Sequence, residues 1–273
     1  YFVEQVTGHL IPDFRFALKH GIEYMLSYAA PPMKIALESV LVLAERYKEL
    51  AIEQQKVATD ERKMQLQLIV DTLNVIPKKG AENLFQAIQF YILLWQVMCL
   101  EQAPNPFAFS VGNADRIFEP YRNGLDRETT ASLLKHFLVF FNVADRSWAI
   151  SQNIIVGGRD VDGKDLTNET SYALLDAYYD MNMPQPILSV KMHKNTPDKL
   201  YRELGRFFFT PGVLTPSLFN DDSLYAILRK SGIDEQDLPD ISIAGCQEPL
   251  IMGKDNGNTT NSWLNLGKIL EHT

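Results

Sequence analysis

Cysteine is almost missing from this sequence: 273 residues contain two, Cys99 and Cys246. Two thiols cannot build a disulfide framework, and no Cys-x-x-Cys pair or His/Cys ligand spacing occurs, so no metal site is expected. So little cysteine suits a reducing compartment, and a cytoplasmic location is the expectation. Runs of Lys and Arg are missing too, and the net charge is -8. Nucleic acid and anionic membrane surfaces are therefore excluded as expected partners, because both are bound through concentrated positive charge. Long apolar runs are also absent. The most apolar stretch, Phe85 to Leu100, is interrupted by Gln86, Gln89 and Gln96 and is too short for a bilayer; it predicts a buried helix. No internal repeat or low-complexity tract is present.

What is there is ordinary globular material, 46% hydrophobic and 22% charged. The first half reads as helix. Pro12-Asp13 opens one through about Tyr28, and Pro31-Pro32 interrupts it. Ile35, Leu37, Val40, Leu41, Ala44 and Tyr47 recur at helical spacing between Met33 and Gln55. Asp60 is placed to cap a third helix through about Leu73. Glu82 to Glu101 is apolar nearly all round, and Arg127 to Val143 is a further helix. The second half alternates. "QNIIVGG", "PQPILSVKMH", Leu214 to Phe219 and "ISIAG" predict strands. Helices fall between them. One is capped by Thr167 or Asn168; one has Thr196 as cap and Pro197 at its first position; one is capped by Asp221 or Asp222. Strands alternating with helices predict an α/β architecture with strands buried on both faces.

The stretch "IAGCQEP" carries the chemistry. A Gly precedes Cys246, and Glu248 follows at the second position, on the same face of a strand that continued through both. The bland reading of a lone Cys is a small buried hydrophobe. A carboxylate beside it costs energy to bury, which favours a site. That carboxylate would raise a thiol pKa, so a thiolate nucleophile is disfavoured. None of His9, His20, His136, His193 and His272 stands in a protease signature. A neutral thiol that gives up a hydrogen atom creates no charge and loses nothing from the neighbour, leaving Glu248 free as a base.

"IAGCQEP" resembles the Gly-Cys-x-Glu-Pro element of the glycyl radical enzymes, the family of pyruvate formate-lyase and the diol dehydratases. "GHLIPDF", "AERYKELA", "QNIIVGG", "DLTNETSY", "MPQPILSVKMHKNTPD" and "LFNDD" resemble further stations of that family, in its order, over essentially the whole chain. The resemblance implies an α/β barrel of ten strands, two antiparallel five-stranded halves wrapped in helices. Residues 1–273 would form part of one such barrel domain, mainly helical over 1–147 and alternating over 148–273. It implies Cys246 as the thiyl residue and Glu248 as the base of a lyase that abstracts hydrogen from a small molecule and expels a neighbouring group. An arylacetate decarboxylase, a formate acyltransferase-like enzyme and a non-catalytic barrel remnant are the alternatives. The acyltransferase has two adjacent cysteines, whereas Gly245 precedes Cys246 here. No bound cofactor is implied within the chain. The glycyl radical would be installed by a radical-SAM activase, and the usual assembly is a homodimer.

The chain departs from that pattern at several points. Gln247 stands where Val is common, Asn113 and Ala114 stand in place of an Arg-Phe pair, and Thr260 stands where glycerol-type dehydratases carry Asp. No Gly-Tyr pair, as in the family's glycine loop, occurs, so a piece of a longer enzyme lacking the amino-terminal portion and the glycyl radical domain is expected. Ser151, Ser110 and Thr259 are candidate substrate contacts. Their bland readings are a polar strand end, a turn and a helix cap. His193 is expected to be a satisfied structural histidine, and Tyr91 and Trp95 core.

Overall fold

The computed structural model describes residues 9–101, 108–143, 152–245, 247–255 and 266–272. Asp13 caps the first helix, α1 (Phe14–Leu26), by accepting the Phe16 amide. Gly21 breaks it with φ 76°, and the next two amides leave the helix to donate to the carbonyls of Pro77 and Lys78, at 2.8 and 3.1 Å. A Cβ at Gly21 would lie 2.4 Å from the Lys79 carbonyl carbon, so only glycine admits this approach. Helix α1 stops at Leu26 with Ser27 as its C-cap, short of the prolines, and Pro31-Pro32 starts the next helix, α2 (Pro31–Gln55), at whose first positions no amide is needed. Helix α3 (Asp60–Leu73) is capped by Thr59 rather than by Asp60, which lies inside its first turn. Helix α4 (Leu84–Glu101) buries Ala87, Phe90, Tyr91 and Trp95. Tyr91 packs against Phe14, Phe118, Phe137 and Phe141, and Trp95 donates its indole N–H to the Phe109 carbonyl at 3.2 Å. Both expectations of core hold.

Beyond α4 come β1 (Gly112–Asn113), the short α5 (Ala114–Phe118), α6 (Arg127–Val143), β2 (Asn153–Gly157), α7 (Glu169–Met181), β3 (Ile187–Met192), α8 (Asp198–Phe209), β4 (Ser217–Asn220) and α9 (Asp221–Lys230). The four strands form one sheet in the order β1-β2-β3-β4, each pair parallel. Asn168 caps α7 with a reciprocal Ser171 bond. Pro197 is the cap residue of α8 rather than its first helical residue, and Thr196 Oγ1 accepts the His193 amide instead. Asn220, not Asp221 or Asp222, caps α9.

Alternation along β2 and β3 divides the sheet's two faces. Ile154, Val156, Leu188 and Val190 enter the main core with Phe137, Phe141, Leu174 and Ala177 from α6 and α7. Asn153, Ser189 and Lys191 face the other way and are fully buried. They face a hairpin, β5 (Ile241–Ala244) paired antiparallel with β6 (Glu248–Ile251). A final helix, α10 (Leu266–His272), closes the described chain. The α/β class with a parallel sheet is what the alternating pattern predicts; the described residues contain four sheet strands and this hairpin. Among them no single helix is long and apolar enough to cross a membrane.

Candidate active site

The "ISIAG" strand forms as β5, but the condition for Cys246 and Glu248 to share a strand face is not met. The chain reverses between Ala244 and Glu248, which pair with each other across the hairpin. Gly245 (φ 46°) and Gln247 (φ 95°) both lie at positive φ, as a tight reversal demands. The same-face argument, which required a continuous strand, therefore lapses. Glu248 instead opens the return strand. Cys246, Ser151 and Thr259 lie outside the described residues, as does Thr260.

Glu248 meets a residue that the sequence reading passed over as a site. His9 Nδ1 stands 2.9 Å from Glu248 Oε1. His9 is buried and holds φ 57°. Its segment is tied on both sides: Leu10 bridges Phe109, its carbonyl accepts the Ser110 amide at 2.9 Å, and the Ile11 carbonyl accepts the Gly253 amide at 2.7 Å. The imidazole is thus carried to the hairpin by backbone pairing 100 residues and more away in sequence. Gly245 lies against the ring so closely that a Cβ there would be 2.4 Å from Nδ1. The second carboxylate oxygen of Glu248, Oε2, has no hydrogen-bond partner among the described residues. The "GHLIPDF" station was the available signal for His9.

The hairpin is held from below. Asn153 Nδ2 donates to the Gly245 carbonyl at 2.7 Å, and Lys191 Nζ donates to the Ile241 carbonyl at 2.8 Å. Asp240, just before β5, receives both terminal nitrogens of Arg15, at 2.8 and 2.7 Å. Lys191 is fully buried, 3.3 Å from Asp221. Burial pushes its ammonium down to about 8, and Asp221 opposes the shift. Ser110 is fully buried too. Its hydroxyl oxygen accepts the Asn153 amide at 3.1 Å, so it joins the strand that holds the hairpin. Asn113, one of the two residues replacing the Arg-Phe pair, is wholly buried with neither amide atom bonded among the described residues.

His193 meets its structural expectation. Nε2 lies 3.0 Å from Asp165 Oδ1, and Nδ1 accepts the Asn195 amide at 3.2 Å. Cys99 is partly buried in the core, its thiol pushed up to about 12 by that burial, which makes it a poor nucleophile. No group of three or more His, Cys, Asp or Glu among the described residues could hold a metal ion. An open apolar groove of about 540 Å³ runs between α2, α3, α4 and α6, and no hairpin residue lines it. Convergent polar groups lie at the hairpin instead.

Comparison with known proteins places the sequence and fold among related chains. The chain is 30% identical over 263 residues to trans-4-hydroxy-L-proline dehydratase of Clostridioides difficile, covering 88% of this chain and 33% of that one. It is 22% identical over 260 residues to isethionate sulfite-lyase of Oleidesulfovibrio alaskensis, covering 87% and 31%. Its fold matches that of a glycyl radical enzyme from Archaeoglobus fulgidus with a TM-score of 0.81 at 23% identity, over 97% of this chain and 39% of the other. The chain spans about a third of the length of the curated relatives it matches. Residues 2–273 match the model of the pyruvate formate lyase-like family, and the chain belongs to that family.

Proposed function

We propose that the protein containing this chain is a glycyl radical lyase, with Cys246 as the hydrogen-atom carrier and Glu248 as the base. The observation that carries the reading is the Glu248 carboxylate at the start of the return strand, two residues after Cys246. One of its oxygens is engaged by His9 and the other has no described partner. A thiyl sulfur at Cys246 takes a hydrogen atom from a substrate carbon bearing a hydroxyl, forming S–H and a carbon radical. Glu248 accepts the hydroxyl proton. The neighbouring group departs with its bonding electron pair, and the thiol returns a hydrogen atom to the product radical. His9 holds Glu248 in one orientation, so the base need not reorganise during proton transfer. The unpaired electron would be supplied by a glycyl radical elsewhere in the longer protein, installed by a radical-SAM activase.

Carbon–sulfur cleavage of isethionate fits this scheme, with sulfite as the group expelled. trans-4-Hydroxy-L-proline carries a single hydroxyl, which dehydration itself expels, so there the proton that Glu248 takes comes from the ring nitrogen beside the radical carbon. The substrate is accordingly a small molecule carrying a hydroxyl or an amine beside the carbon that holds the leaving group. Residues 1–273 form part of a single ten-stranded barrel domain in this reading, and the four parallel strands with an enclosed hairpin are consistent with a portion of it. Ser151, Ser110 and Thr259 are kept as candidate substrate contacts, Ser110 through its hydroxyl proton, since its oxygen already accepts a backbone amide. The protein is proposed to be cytoplasmic and homodimeric.

The test is Cys246→Ser in the full-length protein, activated under anaerobic conditions. The radical signal in electron paramagnetic resonance should persist while turnover of a hydroxyproline, isethionate and diol panel vanishes. Turnover by the serine variant would defeat the reading.

A further inference from the structure

Resting on the thiyl reading of Cys246, we infer that Asn153 is a positioning residue that sets the orientation of the peptide leading into that cysteine. The carbonyl of Gly245 is bonded covalently to the Cys246 nitrogen. Asn153 Nδ2 donates to that carbonyl oxygen at 2.7 Å, so it grips the plane through which the cysteine is attached. Asn153 is fully buried, where a hydrogen bond is not diluted by competing water.

The carboxamide is itself fixed. The Gly245 carbonyl can only accept, which assigns the amide nitrogen to its side, and Ser189 Oγ donates to Asn153 Oδ1 at 3.2 Å from the neighbouring strand. Asn153 N donates to Ser110 Oγ at 3.1 Å, which ties its backbone to the lead-in of β1. Ser110, Asn153 and Ser189 therefore form a chain of bonds across three neighbouring segments, ending on the cysteine loop. Gly245 also lies against the His9 ring, which engages Glu248. The peptide is thus held by a hydrogen-bond donor and packed on an imidazole. Lys191 performs the corresponding task at the far end of β5, on Ile241. Hydrogen-atom transfer depends steeply on the distance between sulfur and substrate carbon, and a displacement of about 1 Å can cost roughly 100-fold in rate. Asn153 fixes that distance without touching the substrate.

The experiment compares Asn153→Asp and Ser189→Ala with wild type in the full-length protein. Aspartate has nearly the same shape and keeps the Ser189 bond, but it offers the Gly245 carbonyl an oxygen in place of a donor. Asn153→Asp should keep its radical signal after activation and lose roughly 10- to 100-fold in kcat with KM little changed. Before activation, iodoacetamide labelling of Cys246, followed by peptide mass spectrometry, should change several-fold in rate while Cys99 labels as before. Ser189→Ala should shift both readouts in the same direction by less. If both variants stay within roughly twofold of wild type in kcat and in Cys246 labelling, Asn153 is not a positioning residue. If Asn153→Asp fails to fold, Ser189→Ala decides by the same criteria. The labelling arm needs no radical, so it still decides the role of Asn153 if the Cys246→Ser test defeats the thiyl reading.

Discussion

His9 Nδ1 and Glu248 Oε1 lie 2.9 Å apart, joining the start of the described chain to the strand that returns from the cysteine loop. The contact unites an acid–base group with a buried ring against which the loop's own glycine is packed. Its consequences can be measured residue by residue.

Glu248→Gln replaces a base with a carboxamide of almost the same shape, whose oxygen can still accept from His9. Turnover of the activated full-length protein should fall by roughly 10²- to 10⁴-fold, the usual contribution of a positioned general base. Radical content should match wild type. A loss smaller than about tenfold would remove Glu248 from the chemistry.

His9→Ala should cost roughly 10- to 100-fold in kcat, the kinetic equivalent of a hydrogen bond to a charged group. His9→Asn should recover part of that loss. Asparagine tolerates the positive φ at this position, and its side-chain N–H can stand in for the imidazole donor. Steady-state kinetics on the two variants checks the ranking; equal loss in both would mean that the ring's bulk, not its hydrogen bond, is what matters.

Gly245→Ala places a methyl group 2.4 Å from the His9 ring at a backbone φ of 46°. The positive φ and the overlap together should destabilise the protein by about 1–3 kcal/mol, read from urea unfolding. Adding His9→Ala removes the overlap, and the double variant should be less destabilised than the sum of the two singles. Strict additivity would show that the ring gives way freely.

Lys191→Met leaves Asp221 buried without its cation and should destabilise by about 3–5 kcal/mol. The pH dependence has a definite sign. Burial depresses Lys191 to about 8 in the folded protein, while an unfolded lysine titrates near about 10.4. Between those values the unfolded chain holds more protons, so this group's contribution makes stability rise with pH there and leaves it flat below the window. Urea midpoints from pH 7.5 to 10 should show that rise in wild type and lose it in Lys191→Met.

Much of the fold was legible before any coordinates because local patterns and tertiary packing agree. Arg127–Val143 begins and ends where its periodicity predicts, and the strands around Ile154, Val190 and Ile243 fall in the expected runs. The cap residues were the weak point: Thr59, Pro197 and Asn220 each took a position assigned to a neighbour. Adjacent polar residues compete for one cap, and the path of the incoming chain chooses among them.

By itself the sequence determined the α/β alternation, the buried character of α4 and the conspicuous Cys-x-Glu element, since each depends on residues near one another in the chain. Only the tertiary structure decided that the chain folds back between Ala244 and Glu248, that His9 meets Glu248, and that Asn153 and Lys191 hold β5 at its two ends. The His9, Asn153 and Lys191 contacts join residues 50 to 239 apart in the numbering. They are joined by sheet register and backbone pairing, for which local spacing carries no signal.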